Sequence, residues 1–452
     1  MQAFPETAAA FYALRDDRTD RCVETFADGR AYQRKHIAVV IDPVRATTIA
    51  GRVLLFAVTA LLARWCRIVT LVAAPSESID RALAAMHDAD PFGQFSKARS
   101  IPVDADFVLH IGGRGDADAI AIDGSGWIAR VAPANAAQTP LKDAPHPLGA
   151  LAAACLGVAE LFRRSVGFEP LVQVRMLDLL NLGWTDTPGD APDPTRDIGN
   201  VLLIGAGAVG SGVAYAVALC DLIGRFTVID YDRIKIENFN RSPLCARSTH
   251  NMLKADAVVD ALVASGSLAV PFHGSWDDFV RSGQLGAHRA AVWVPVANEG
   301  GVRSAVQRNF PPVAVHGSTS VNWSVNYGRH VPDIDDCFLC RFPTQAASES
   351  ALACATSALP TSEGVTVDAA LPFASVFASV FVAAELARRT LPSYGAAQPN
   401  FAKVDFYPAG FSIETQRRAP LSSCDCRTQL ALSQLVNATS IAPVSSDTSM
   451  LG

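Results

Sequence analysis

The stretch Asn200–Ala255 leaves this chain little choice of fold: NVLLIGAGAVGSGVAYAVALCDLIGRFTVIDYDRIKIENFNRSPLCARSTHNMLKA. An apolar strand runs into Gly205-x-Gly207-x-x-Gly210, a helix follows, and a second strand ends on Asp230. Strand, glycine turn and helix in that order put backbone amides and a helix N-terminus where phosphate oxygens can approach. A carboxylate at the end of the next strand, about 20 residues on, can accept hydrogen bonds from ribose hydroxyls. The stretch predicts a parallel α/β sheet with a nucleotide at its strand ends. Taken alone it fits an NAD-dependent oxidoreductase, or a glycine turn that serves the fold only.

The residues that follow change the chemistry. Asp232, Asn238, Asn240 and Arg241 come next, and Lys254 lies thirteen residues beyond Arg241. Hydride transfer has little use for cations aimed at the phosphates. Attack on an α-phosphate with expulsion of pyrophosphate does, because negative charge grows on the transferring and leaving oxygens. Solvated surface charges for Arg241 and Lys254, and a helix cap for Asn238, are the plainer alternatives.

At 452 residues the chain is too long for one ordinary core. Half of it is apolar and 18% charged, so large buried cores are available. A net charge of −6, without a basic tract, argues against a nucleic-acid binder. No basic start followed by an apolar run opens the chain, so no signal peptide is expected. The longest apolar run, Leu371–Ala384, has 14 residues, short of the roughly 20 that span a bilayer. A cytoplasmic protein is the expectation.

The first half reads as the same plan. His36–Asp42 and Cys66–Ala73 are predicted strands around a helix at Gly51–Trp65, with Ala105–Ile111 and Ala119–Val131 strand-like after them. Its turn, PVRATTIAG, has no glycine fingerprint. The segment 184–198 is rich in Pro, Gly and Asp and reads as a linker. In the second half, the strands Val201–Ile204, Phe226–Ile229 and Ala291–Val296 and the helix Ala208–Ile223 repeat the pattern. The helices PLGALAAACLGVAELFRR (Pro147–Arg164) and PFASVFASVFVAAELARR (Pro372–Arg389) share the ending AELxRR. The expected architecture is therefore α/β: a Rossmann-like domain at 1–183 that has lost its nucleotide loop, and an intact one at 199–430. Strand-like runs at Ala402–Tyr407 and Phe411–Gln416 close the second. The charged run Arg15–Arg21 reads as a solvated helix or loop, and 431–452 as a disordered tail.

Cysteines are placed in pairs. Cys337 and Cys340 form a CxxC, Cys424 and Cys426 a CxC. Four thiolates suffice for a tetrahedral Zn²⁺ that would clamp the last strands onto the middle of the domain, leaving no open position for catalysis. A redox CxxC or four ordinary cysteines are the alternatives. Cys354 lies between the pairs, in a small, polar segment that reads as a loop.

GAGAVG, DYD, NFNR, Lys254, CFLC, Cys354 and the terminal CxC together resemble the ubiquitin-activating-enzyme superfamily, over about residues 195–430. The superfamily includes the adenylyltransferases of molybdenum-cofactor and thiamine biosynthesis. The resemblance implies two adenylation domains, the first inactive, forming a pseudo-dimer within one chain or also a homodimer. It implies that Gly205, Gly207 and Gly210 cradle ATP, that Asp230 holds the ribose with Asp232 close by, and that Asn238, Arg241 and Lys254 contact the triphosphate. Cys354 would take the activated carboxyl group as a thioester. An arginine of the first domain would reach the nucleotide; Arg18, Arg21, Arg34 and Arg45 are the candidates. The family's Mg²⁺-serving aspartate falls at Ala297 here, with Asn298 and Glu299 following.

The function so implied is ATP-dependent adenylation of the C-terminal carboxylate of a ubiquitin-like protein, thioester formation on Cys354 and transfer to a conjugating enzyme. Bacterial ubiquitin-like conjugation operons, some of them antiviral, are one context. The alternatives are a sulfur-carrier or peptide adenylyltransferase, and a scaffold that binds a protein tail without chemistry.

Overall fold

A computed structural model of the chain describes residues 3–23, 29–136, 139–189, 191–287, 290–297, 301–320, 323–341, 358–360, 366–368, 370–395, 398–406, 410–422 and 424. The expectations for Cys354, Cys426, Asn298, Glu299 and the tail 431–452 fall outside these residues.

Two eight-stranded sheets share one plan. The first holds β1 (His36–Ile41), β2 (Ile68–Val72), β3 (Gln94–Ala98), β4 (Phe107–Ile111), β5 (Ile120–Ser125), β6 (Ile128–Pro133), β7 (Arg175–Asp178) and β8 (Gly183–Thr185). Its strands are ordered β3-β2-β1-β4-β5-β6-β7-β8. The second holds β9 (Asp197–Ile204), β10 (Ile223–Ile229), β11 (Leu268–Phe272), β12 (Val292–Pro295), β13 (Ala314–Thr319) and β14 (Ser324–His330). After a separate two-stranded ribbon, β15 (Ala358–Pro360) and β16 (Thr366–Asp368), it is completed by β17 (Phe401–Asp405) and β18 (Ser412–Gln416). Its order is β11-β10-β9-β12-β13-β14-β17-β18. In each sheet the first five strands are parallel and the last three antiparallel.

The expected strand 119–131 is thus a hairpin, β5 and β6, broken at Gly126, whose φ of +53° suits the turn. The helix expected at Ala208–Ile223 stops at Leu219. Asp221 then adopts a left-handed φ of +57°, and Ile223 enters β10. No helix among the described residues is long and apolar enough to cross a membrane.

The twin helices Leu148–Ser165 and Pro372–Arg388 are buried along their lengths and pack against each other at the centre of the molecule. Their shared ending is a buried charge device. Glu160 accepts from Arg163 and Arg164, while Glu385 accepts from Arg388, Tyr327 and Tyr394. Each first arginine of the pair then reaches into the other half. Arg163 Nη1 donates to Phe406 O, just past β17, at 2.8 Å. Arg388 Nη1 donates to Leu180 O, just past β7, at 3.2 Å. The two contacts are equivalents, one seen from each half.

The charged run at 15–21 is not solvated. Arg15 is wholly buried, bonded to Asp16 and Asp90, each at 2.5 Å. Its helix, Ala8–Arg15, lays Phe11 against Ile234, Ile236 and Phe239 of the second half. A buried charge needs a partner, and Asp90, distant in sequence, supplies one.

Candidate nucleotide cleft

A cleft of about 290 Å³ opens where β9, β10, β12 and β13 end. Strand order reverses between β9 and β12, the place where open α/β sheets take ligands. Gly205, Gly207, Asp230, Asp232, Asn238, Arg241 and Lys254 all line it.

Two of the glycines are required by the fold. Gly205 has φ +100°, and a Cβ there would sit 2.6 Å from Ala297 N. A Cβ on Gly210 would come within 1.9 Å of Gly205 O. Gly207 differs: a Cβ there would meet nothing within 4 Å. It precedes the helix Ala208–Leu219 and offers no side chain to cap it, so the amides at that end face the cleft, where an anion is stabilised.

Asp230 fixes the turn. Its Oδ2 accepts from Ala206 N at 2.7 Å and its Oδ1 from Asp232 N at 2.8 Å. Burial raises the Asp230 carboxyl above its ordinary range, against those amides and Lys254, which pull it down. Lys254 Nζ bonds Asp232 Oδ2 at 2.7 Å. Asn238 does cap its 3₁₀ turn, accepting from Lys235 N at 3.0 Å, and still lines the cleft. Arg241 is 9% exposed and donates to Glu237 O and to Asn240 Oδ1. Asn240 is buried, its Nδ2 on Thr19 Oγ1 at 3.1 Å and Ala370 O at 3.3 Å.

Of the four candidate arginines from the first half, Arg18 lines the cleft. Arg21 pairs with Asp17 at 2.9 Å, Arg45 with Asp123 at 2.6 Å, and Arg34 lines a separate depression beside His36 and Asp104. Arg233, Lys235 and Arg303 also line the cleft and went unnoticed in the sequence. Arg233 and Lys235 sit inside the motif run, so their basic character was a usable signal. Arg303 lies on a short helix just past Gly301 and offered none. Six cations thus face three carboxylates, Asp230, Asp232 and Glu237, among the described lining residues. Ala297 stands at the wall with no carboxylate to offer.

The cysteines come together at the far end of β14. Cys337 Sγ lies 3.6 Å from Cys340 Sγ and 3.7 Å from Cys424 Sγ. A tetrahedron of sulfurs around zinc, with bonds near 2.3 Å, has edges of about 3.8 Å. Three of the four expected ligands therefore sit at metal-binding separations.

Residues 36–179, from β1 through β7, match the BilD N-terminal domain. Residues 193–267, from the loop before β9 to the end of the segment before β11, match the ThiF family. An uncharacterized protein, y4jF, of Sinorhizobium fredii is 30% identical over 203 residues, which is 43% of this chain. The match spans 38% of that curated relative's length. Solved structures of E. coli MccB, one with succinimide and one with ATP, are 15% and 16% identical, with TM-scores of 0.39 and 0.38. They cover 50% of this chain, and 66% and 65% of theirs. At that identity and overlap they add nothing to the fold described above.

Proposed function

We propose that this chain is an ATP-dependent adenylyltransferase acting on the C-terminal carboxylate of a protein or peptide tail, in its fullest form the tail of a ubiquitin-like protein. The observation that carries the reading is the convergence of Arg18, Arg241, Lys254 and the glycine turn on one cleft. The ThiF family match over 193–267 covers the turn, Asp230, Asn238, Arg241 and Lys254. The open space at Gly207 and the uncapped helix behind it suit phosphate oxygens, and Asp230 suits a ribose.

In this reading a tail carboxylate oxygen attacks the α-phosphorus of ATP. The bond from that phosphorus to the bridging oxygen breaks, pyrophosphate leaves, and an acyl-adenylate remains. Arg18, Arg241 and Lys254 stabilise the charge that develops on the transferring and departing oxygens. Mg²⁺ would neutralise phosphate charge, and Asp232, a lining carboxylate whose side chain is about half exposed, would help to hold it. Cys354 would then attack the acyl carbon and release AMP, forming a thioester for a conjugating enzyme. Cys337, Cys340, Cys424 and Cys426 would hold a structural Zn²⁺, and the sulfur separations support that assignment.

ATP–pyrophosphate exchange stimulated by a cognate tail tests the first step, and its absence with every candidate tail would sink the adenylation reading. That result would favour a tail-binding scaffold, which Ala297 at the metal-serving position already makes a coherent second reading. The thioester step predicts an adduct cleaved by thiols and lost in Cys354→Ala while exchange persists. Elemental analysis should return about one zinc per chain, and less than half an equivalent in fresh protein counts against the clamp.

A further inference from the structure

One buried charge belongs to neither the cleft wall nor the ion pairs of the core. Arg64 follows the helix Ile49–Leu62 in the first half and is 2% exposed. Its guanidinium crosses into the second half and donates to three backbone carbonyls of one loop. Nη1 reaches Phe239 O at 2.8 Å and Cys245 O at 2.9 Å, and Nη2 reaches Pro243 O at 2.6 Å. All three of these bonds go to carbonyls, and burial pushes its pKa down to about 10. An arginine held this way is costly to bury. What it holds is the loop between Asn238 and Lys254, the segment that carries Arg241 into the cleft. Between 239 and 245 the loop's amides make short local turns, such as Arg241 N to Asn238 O at 3.2 Å and Cys245 N to Ser242 O at 3.1 Å. Two further first-half contacts flank the site: Thr19 receives Asn240, and Asp88 receives Ser248 N at 2.9 Å.

We infer that Arg64 is a positioning residue, which holds the 239–245 loop in the shape that presents Asn238 and Arg241 to a bound polyphosphate. The first half is then a mould for the second half's phosphate loop. The inference deepens the nucleotide reading above, but its first test does not depend on it.

Hydrogen exchange on the full chain is that test. In Arg64→Met the amides of Phe239, Arg241, Ser242 and Cys245 should exchange at least about tenfold faster, since each charge-assisted bond lost weakens the loop. Arg64→Lys, which keeps the charge with fewer directed bonds, should fall between the two. Arg163→Met, which breaks a buried contact elsewhere between the halves, should lower the melting temperature and leave those four amides unchanged. If Arg64→Met unfolds the whole chain, the lysine variant decides by the same four amides. Unchanged exchange in a folded Arg64 variant, or equal deprotection in Arg163→Met, overturns the inference. In a second arm, ATP titrated onto Arg64→Met should bind about tenfold more weakly than to wild type, and equal affinity overturns the positioning role. Failure of the wild type to bind ATP would instead overturn the proposed function, and the exchange arm would still decide the loop.

Discussion

The two sheets end in different ways at equivalent places. Past β9 the chain turns through Gly205 and Gly207 and leaves a cleft. Past β1 it meets Asp42, which caps the short helix Pro43–Ala46 by accepting from Val44 N and Arg45 N, each at 2.9 Å. Arg45 then folds back over the strand ends, packs its stem on Gly112 and bonds Asp123 and Gly124 O. Both ends keep a hollow, about 290 Å³ past β9 and about 270 Å³ past β1, but at the second a cation of the chain itself is paired across the strand ends. The same topology can therefore either receive a charged group or supply its own, and a few residues after one strand decide which.

The largest expected effect probes what the halves share. Arg388→Met leaves Glu385 buried without its nearest cation and should cost about 3–5 kcal/mol in thermal or urea unfolding. Arg163→Met should cost less, about 1–3 kcal/mol, because Arg164 still pairs with Glu160 at 2.8 Å. Equal losses would show that the repeat is less asymmetric in energy than in contacts.

Next comes the end that Arg45 crosses. Arg45→Ala removes one of the two arginines on Asp123 and should cost about 3 kcal/mol, with ATP affinity unchanged. A shift in affinity on titration would break the separation drawn between the two ends. In the open half the glycines should divide. Gly210→Ala forces a methyl against Gly205 O, costing about 1–3 kcal/mol and weakening ATP binding about a hundredfold. Gly207→Ala should leave stability within about 1 kcal/mol and still weaken ATP about tenfold, because only the ligand needs that space. Loss of stability without loss of affinity at Gly207 would mean the turn serves the fold alone.

The smallest effect is in pH. Burial pushes the Glu385 carboxyl up, but Arg388 and Arg329, with the two tyrosine hydroxyls, outweigh it and hold it below its ordinary 4.5. A carboxyl lowered in the fold contributes stability above its unfolded pKa and loses it as pH falls through the folded value. Wild type should therefore lose stability below about pH 4.5, and Glu385→Gln should show a flatter acid limb in unfolding titrations.

Much of this was legible beforehand because backbone needs dictate residue type. Gly205 and Gly210 announce a turn that no other residue fits, and the shared AELxRR ending marks a buried charge device in both halves. The linker expectation at 184–198 overlaps the end of β8 and the start of β9, since proline and aspartate signal a loop better than its limits. Other features depended on distance in sequence. Arg15 looked solvated because Asp90 lies 75 residues away, and Arg18 could be separated from Arg21, Arg34 and Arg45 only once the first half was seen against the second. Arg64 carried no local signal at all: its partners are carbonyls some 175 to 181 residues on.

The cleft draws its wall from Arg18 near the start of the chain, Arg241 and Lys254 past its middle, and Ser375 on the second twin helix. Synthesis proceeds from the N-terminus, so the cations that arrive first wait for walls made last. A growing chain has no complete cleft until Pro372–Arg388 has left the ribosome. A product truncated before that helix therefore lacks part of the cleft wall.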